Sequence, residues 1–403
     1  MPDELAPAPL AGVVIIEMAT FVAGPSAGMA LAQLGADVVR IDPIGGAVDV
    51  NRWPVDEQGH SLYWSSLNRG KRSVTLDLRS DAGRKLVVQL IAAPGPSRGI
   101  FIDNAVGQDW LSWPALTAAR PDVIHLHIEG HRDGRPAVDY TVNAEVGVPM
   151  ITGPEGHNRP VNHALPAWDL LTGMSATTAL LAALRRRDQT GVGARINIAL
   201  ADVALAGVAN LGWLSEARRA PEDRERQGNN LYGSYGRDFA TADGKHVMVV
   251  ALTPKQWTSL VSVTGSRAEI DALQLQHGVD FLADEAARYR LRGPVAAAFE
   301  QWFAARDLAT VADALNSARV LWAPYRTLRE AAQEMHGPLR LIDQPGIGEV
   351  VSGESPMRWD DQPGTAAPAS ALGADTMATL VDLAGVNESE LAALVEAGVI
   401  APG

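Results

Sequence analysis

The chain predicts an α/β fold built on a parallel sheet, and three observations carry that prediction. Short apolar runs rich in β-branched residues recur along its first half, beginning with Gly12–Glu17 (GVVIIE) and Ala36–Ile41 (ADVVRI); such runs mark strands buried on both faces. Segments of helical pattern alternate with these runs, as they do where crossover helices join parallel strands. The chain is 403 residues long and 47% hydrophobic, which supplies sizeable cores and suggests two or three domains.

The elements follow in order. After Gly12–Glu17, Gly24–Gly35 predicts a helix, with Pro25 suited to its first turn and Met29, Leu31 and Leu34 apolar. Ala36–Ile41 completes a βαβ unit of about 30 residues. Val74–Leu78 predicts a strand and Ser80–Ala92 a helix with Ser80 as its cap. Gly99–Asp103 and Val123–Ile128 predict further strands. Leu170–Leu184 predicts a buried helix, because Leu170, Leu171, Met174, Thr177, Leu180, Leu181 and Leu184 recur at spacings of three and four. The TGVGARINIAL run predicts a strand, and Leu200–Leu214 a second long apolar helix. Ser215–Asn230 is charged and poor in apolar residues, and reads as a linker or exposed crossover. Lys245–Leu252 predicts a strand opening a second unit, mostly helical, with helices over Pro254–Thr264, Arg290–Arg306 and Ala309–Ala318. Pro338–Gly373 reads as extended chain with short strands, and Ala374–Ala397 as helical. No repeat of fixed period stands out.

Composition excludes several classes of function. A net charge of −13 argues against general nucleic-acid binding unless a basic face is segregated. With no cysteine, disulfides, thiolate metal sites and cysteine nucleophiles are excluded together. Met1–Gly12 carries Asp3 and Glu4 and lacks a positive start before an apolar core, so no secretory leader is expected. No run of about 18 apolar residues is seen, so no membrane span is expected. The expected location is cytoplasmic.

Four segments could carry chemistry, each with a plainer alternative. Asp169 follows Trp168 at the start of the apolar segment that begins at Leu170, which puts a lone carboxylate at or next to a helix N-terminus. It reads either as a helix cap or as a partly desolvated nucleophile. Glu17–Pro25 (EMATFVAGP) joins the first strand to the first helix, where open α/β sheets bind ligands and a helix N-terminus favours phosphate. It lacks GxGxxG, so a dinucleotide site is unsupported and a plain turn stands beside the binding reading. Asn68–Ser73 (NRGKRS) packs three cations into four positions and reads as a phosphate cradle or a solvated turn. Gln227–Phe239 (QGNNLYGSYGRDF) is glycine-dense and reads as a mobile loop over a site or as an interdomain connection. The nine histidines include no HExxH. His125 and His127 alternate on a predicted strand, while Gly130 separates His127 from His131, so no metal site is expected. No GxSxG elbow is present.

Taken together, these segments resemble the class III coenzyme A transferases, the CaiB/BaiF family. PLAGVVIIEMATFVAGP, LAQLGADVVRID, NRGKRSVTLDL, the Asp169 segment, TGVGARINIALADVAL, YGRDFATADGKHVMVVAL and ARVLWAPYRTLREA carry the resemblance over nearly the whole chain. The phrases IDPIGGAVDVNRWP, HRDG, DYTVN, TGP, PVNHALPAWD and RQGNNLYGSYGRDF narrow it to a branch acting on 2-methylfumaryl-CoA (mesaconyl-CoA). The resemblance implies a Rossmann-like sheet in a large domain built from both chain ends (1–214 and 326–403, the latter including a linker). It also implies a linker over 215–230, a smaller α+β domain over 231–325, and an interlocked homodimer.

The resemblance further implies that Asp169 is the nucleophile and that an aspartyl-CoA thioester forms on it. Coenzyme A would be part of the substrate, with no permanently bound cofactor, and transfer would run from C1 to C4 within one dicarboxylic acyl-CoA. Tyr140 matches the tyrosine that faces the active carboxylate. The coenzyme A contacts carry over to Thr20, Phe21 and Ala23, to Arg40, to Asn68, Lys71 and Arg72, and to Asn104, although the family's usual Asn-Phe is Asn104-Ala105 here. The glycine loop corresponds to Gly228–Gly236, so Gly228, Tyr235, Gly236 and Arg237 are candidate lid or substrate residues. Transfer to a separate acid is the nearer alternative. Racemisation is less favoured, because a tyrosine with a pKa of about 10 stands where the racemases have histidine. A non-enzymatic CoA-binding protein would leave Asp169 as a cap only. On charge alone, Arg237, Arg132 and His131 are candidates for holding the second carboxylate.

Overall fold

The computed structural model describes residues 8–359 and 367–401. Residues 1–7, part of the leader reading, and 360–366, inside the predicted extended stretch, lie outside the described residues. Six strands form one sheet: β1 Val14–Met18, β2 Asp37–Pro43, β3 Arg72–Leu76, β4 Ile100–Asp103, β5 Ile124–Glu129 and β6 Ala194–Ala199. Their order is β3-β2-β1-β4-β5-β6 and every pairing is parallel, so the predicted fold class holds. The order reverses between β1 and β4, and the crevice beyond the C-terminal ends of such a strand pair is where open α/β sheets take ligands.

Both faces of the sheet are covered, which explains why its strands read as unbroken apolar runs. On one face, Val39, Ile41, Val74, Leu76 and Phe101 pack with Leu86 and Leu90 of the helix Asp81–Ile91. Leu380 and Leu383 of the helix Thr376–Ala384 complete that layer from the far end of the chain. Ser80 caps the helix Asp81–Ile91 as predicted, accepting from the Gly83 amide at 3.0 Å. On the other face, Ile15, Val38, Ile102 and Leu126 pack with Ala27 and Leu31 of the helix Ala23–Gln33, and with Ala176, Leu180 and Ala183 of the helix Ala167–Thr190. The C-terminal segment is stitched to β3 and the residue after it: Ser73 N–H donates to the Asp375 carboxylate at 2.8 Å and Asp77 N–H to the Val399 carbonyl at 2.8 Å. Strand β3 accordingly starts two residues before the predicted Val74, because Arg72 and Ser73 already pair with β2.

The helix Ala167–Thr190 corrects one expectation. Leu180 and Thr177 are buried as predicted, but Leu171 and Met174 are exposed. The buried face is instead Trp168, Thr172, Gly173, Ala176, Leu180 and Ala183. Small residues win that face because the helix lies close against Ala23–Gln33: a Cβ placed on Gly173 would meet Ser26 Oγ at 2.1 Å and the Ala23 carbonyl oxygen at 2.9 Å. Contrary to the expectation of no such segment, this helix is also long and apolar enough to cross a membrane by length and composition. Here it lies against the sheet as a core helix.

The chain divides into two compact units: 1–146 with 164–216 and 335–403, and 147–163 with 217–334. The segment 147–163, placed by the sequence reading in the large N-terminal part, belongs to the second unit. In that unit the buried Arg226 donates to the carbonyls of His157 at 2.7 Å, Pro149 at 3.0 Å and Arg159 at 2.6 Å. Its antiparallel sheet has the order β7-β8-β9, with β7 Tyr235–Ala240, β8 His246–Ala251 and β9 Leu321–Pro324. Tyr235, Phe239, Val247 and Val249 pack there with Trp257, Phe299 and Phe303. The helices Pro254–Thr264, Arg292–Ala304 and Leu308–Ser317 answer to predicted ones, whereas Arg267–His277 and β9 were not foreseen. In the first unit, β10 Leu339–Gln344 and β11 Gly348–Gly353 form an antiparallel hairpin inside the predicted extended stretch.

Gly173→Ala tests the close approach of the two helices. The variant should lose about 1–3 kcal/mol of stability from overpacking, read as a lower urea midpoint with an unchanged slope; an unchanged midpoint would mean that the approach is not tight.

Candidate active site

The crevice between β1 and β4 is closed by a reciprocal bond. Thr20 N–H donates to Asn104 Oδ1 at 3.1 Å, and Asn104 Nδ2 donates back to the Thr20 carbonyl at 3.1 Å. The predicted Thr20–Ala23 loop and Asn104 are therefore brought together, joined across the switch point. Phe21 follows with φ of 68°, an unusual conformation for an aromatic residue. It is held there by its amide, which donates to Asp49 Oδ2 at 2.9 Å.

The basic motif takes a different part from the one expected. Lys71 is buried and its ammonium donates to Glu17 Oε1 and Oε2 at 2.8 and 2.9 Å, to the Pro25 carbonyl at 2.9 Å and to Asn68 Oδ1 at 2.9 Å. Arg40, 1% exposed, donates to Asp42, Asp49 and Asn68 at 2.8 to 3.1 Å. Arg72 is paired with Asp37 and, at 3.3 Å, with Asp382. In this structure the donors of Arg40, Asn68, Lys71 and Arg72 are bonded to the protein's own acids and carbonyls. Neither a phosphate cradle nor a solvated turn describes them. Burial pushes the Lys71 ammonium down to about 8 and the Glu17 carboxyl up, each partly offset by the other's charge. The sequence hid this network because Glu17, Asp42 and Asp49 lie on other segments.

Asp169 is the third residue of the helix Ala167–Thr190, whose N-cap is Pro166 and has no side-chain cap. The cap comes from outside. Asp139, buried on the helix Asp139–Glu145, accepts from the amides of Trp168 at 2.7 Å and Asp169 at 3.2 Å. Trp168 is pinned as well, its indole N–H donating to Asn143 Oδ1 at 3.0 Å. The cap reading of Asp169 thus passes to Asp139, and the Asp169 side chain is left for other work. Burial, reinforced by the Asp139 charge and opposed by Arg52, raises the Asp169 carboxyl to about 6. The amides of Trp168 and Asp169 at the helix start are taken by Asp139. Tyr140 neighbours Asp139 and is exposed, its hydroxyl donating to the Ala164 carbonyl at 3.2 Å.

Two further residues at this site were missed. Arg52 and Tyr63 both act electrostatically with Asp169, and the Arg52 guanidinium lies over the Tyr63 ring at 5.4 Å. The one available signal was that Arg52 lies within the IDPIGGAVDVNRWP phrase, which spacing rules do not interpret.

Of the remaining candidates, Arg132 is tied to Asp202 at 2.7 Å and His131 is buried with Glu145 at 3.6 Å. In the second unit, Gly228 lies in a turn, with its N–H on the Gly153 carbonyl at 3.1 Å. Tyr235 and Gly236 correct the lid reading: they belong to strand β7, and the Tyr235 ring is buried against Trp257 and Phe299. Arg237 is half-buried on the same strand. Asp103, His125 and His127 gather donor atoms within 4.8 Å, close enough to hold a metal ion. Asp103 Oδ2 pairs with His125 Nε2 at 2.7 Å and Oδ1 with His127 Nδ1. Burial opposes ionisation of Asp103, but the two imidazole bonds outweigh it and hold its carboxyl low, and its bond raises His127. Sequence spacing showed the two histidines but not the aspartate on the adjacent strand.

The parallel six-stranded sheet with its order reversing between β1 and β4 defines the class as an α/β protein of the open-sheet type. The chain belongs to CoA-transferase family III, whose profile matches residues 10–376. It is 46% identical to 2-methylfumaryl-CoA isomerase of Chloroflexus aurantiacus, over 97% of this chain and 98% of that protein. Succinyl-CoA:mesaconate CoA-transferase of Haloarcula hispanica is 29% identical, over 93% and 96%. A solved CaiB/BaiF family protein from Brucella suis superposes with a TM-score of 0.75 at 25% identity, over 94% of this chain and 100% of that one.

Two measurements check the electrostatics. Lys71→Met should cost about 3–5 kcal/mol by stranding Glu17, with most of it recovered in the double variant with Glu17→Gln; a double variant no better than the single one would contradict the pairing. Between about pH 4 and 6 the folded chain binds the Asp169 proton more tightly than the unfolded chain does, so this group stabilises at low pH and loses that contribution as pH rises through about 6. Asp169→Asn should therefore match the parent near pH 4 and exceed it by on the order of 1–2 kcal/mol at pH 7, read by denaturant titration at both values.

Proposed function

We propose that the protein moves coenzyme A from C1 to C4 of 2-methylfumaryl-CoA, with Asp169 as the nucleophile. The observation that carries this reading is the placement of Asp169: its helix is capped by Asp139, its carboxylate is half-buried, and among the described residues no hydrogen bond or ion pair holds its side chain. The likeness to the Chloroflexus isomerase supports the choice of substrate.

The steps balance without redox chemistry or a net proton. An Asp169 oxygen attacks the C1 thioester carbonyl, the C–S bond breaks, and a mixed anhydride and CoA thiolate result. The thiolate attacks the aspartyl carbonyl and breaks its bond to the anhydride oxygen, leaving an aspartyl-CoA thioester and 2-methylfumarate. The C4 carboxylate then attacks that thioester and expels the thiolate, which returns to C4 as Asp169 leaves. Splitting one difficult exchange into acyl transfers is the gain of covalent catalysis. A carboxyl raised to about 6 is still mainly ionised at neutral pH, and burial denies it the water that would blunt its attack.

Thr20, Phe21, Ala23 and Asn104 line the crevice on which the coenzyme would lie, and Tyr140 flanks the helix start. Coenzyme A enters as part of the substrate, and the reaction is placed in the cytoplasm. We also place two copies in a homodimer, which would cover the exposed Leu171 and Met174 of the Asp169 helix. Transfer to a separate acid remains the rival, favoured by the Haloarcula relative, whose name specifies mesaconate as acceptor.

Incubation with 2-methylfumaryl-CoA acylated at C1, with no acid added, should yield the C4 isomer by chromatography. If CoA passes only to an added acid, the intramolecular reading is overturned. Asp169→Ala should abolish turnover while coenzyme A still binds, and kcat/KM of the parent should rise with pH through about 6 as Asp169 ionises; a flat profile from pH 5 to 8 would remove Asp169 as the group that must be ionised.

A further inference from the structure

Arg52 stands apart from the chain's other site arginines. Its guanidinium lies over the Phe21 ring at 5.3 Å and over the Tyr63 ring at 5.4 Å. The residue is exposed, and among the described residues no carboxylate forms an ion pair with it, whereas Arg40, Arg72 and Arg132 are each bound to acids. Its charge nevertheless acts on Asp169.

The platform beneath it is fixed. Phe21 is held at positive φ by Asp49, which is itself fixed by Arg40 at 3.0 Å. Ser61 Oγ donates to the Arg52 carbonyl at 2.5 Å, and the same hydroxyl caps the helix Leu62–Leu67 that carries Tyr63. A guanidinium oriented by two rings keeps its planar fork for a partner in one defined direction. A carboxylate is the group that matches such a fork with two parallel hydrogen bonds.

In 2-methylfumaryl-CoA one free carboxylate, C4, is separated by two carbons from the C1 carbonyl that Asp169 attacks. We propose that Arg52 binds this free carboxylate and, after the first transfer, binds the newly released one in its place. The inference rests on the proposed dicarboxylic substrate. It gives the exchange a pivot: either end of 2-methylfumarate can sit on Arg52 while the other faces Asp169. It also selects substrates, because an acyl-CoA lacking the second carboxylate leaves the arginine unmatched. Arg132 and His131, proposed from charge alone, are already engaged by Asp202 and Glu145.

The test uses the full chain carrying Asp169→Asn, which blocks covalent chemistry, with calorimetric binding of two ligands. One is 2-methylfumaryl-CoA acylated at C1; the other is tiglyl-CoA, in which a methyl replaces the free carboxylate. The dicarboxylic ligand should bind about 10- to 100-fold more tightly, the worth of hydrogen bonds to a charged group. Adding Arg52→Gln should bring that ratio close to one, leaving tiglyl-CoA within about twofold of its former affinity, and Arg52→Lys should restore part of the ratio. Equal weakening of both ligands would make Arg52 a contact to the coenzyme and overturn the proposal, as would an unchanged ratio. The same ratio measured with succinyl-CoA and butyryl-CoA reports carboxylate recognition even if the parent fails to isomerise 2-methylfumaryl-CoA, so failure of the inference and failure of the functional reading are distinguishable.

Discussion

The buried ion pair between Glu17 and Lys71 is the constraint on which the rest of the site depends. Glu17 lies in β1, Lys71 immediately before β3, and the Lys71 ammonium also reaches the Pro25 carbonyl in the first turn of the helix Ala23–Gln33. The carboxylate is packed so closely that a Cβ on Gly28 would meet Glu17 Oε2 at 1.7 Å. Two buried charges are tolerable only when each satisfies the other and their remaining hydrogen-bonding capacity is filled. Asn68 completes that filling and passes it on to Arg40, whose partner Asp49 holds the Phe21 amide. The shape of the loop at the switch point is therefore set by charges that never meet solvent.

The same economy of partners explains Asp169. A helix start leaves several amides unsatisfied, and an acidic residue in the first turn is the ordinary remedy. Here Asp139 supplies it from a separate helix. The consequence is electrostatic as well as structural: a second carboxylate nearby and the loss of water both oppose ionisation of Asp169, while Arg52 favours it. The result is a carboxylate that is charged at neutral pH yet poorly solvated, as a nucleophile toward a thioester should be.

The helix that carries this aspartate has two apolar faces. Its small residues, Gly173, Ala176 and Ala183, meet the protein's own sheet layer, and its larger Leu171 and Met174 face outward. A single chain uses only the first face. At Gly173 size decides the residue, because the close approach of the helix Ala23–Gln33 leaves no room for a side chain, while Trp168 and Leu180 are buried elsewhere on the inner face.

The sequence by itself determined the parallel sheet, since strands covered on both faces must be apolar throughout, and GVVIIE and ADVVRI could be read without neighbours. It determined the Ser80 cap, a bond between residues three apart, and it singled out Asp169, which stands at the head of a long apolar segment. Family resemblance then placed Thr20, Phe21 and Asn104 on one site, and the reciprocal Thr20–Asn104 bond joins them in space. Only the tertiary structure decided what the charges do. Whether Lys71 binds a phosphate or Glu17, whether Asp169 caps its helix or is relieved by Asp139, and whether Tyr235 lines a loop or a core depend on residues far apart in sequence. Charge interactions and burial are set by distance in space, which local periodicity does not encode. Arg52 became visible for the same reason, because its meaning lies in Phe21, Tyr63 and Asp169, three segments that meet only in the folded chain.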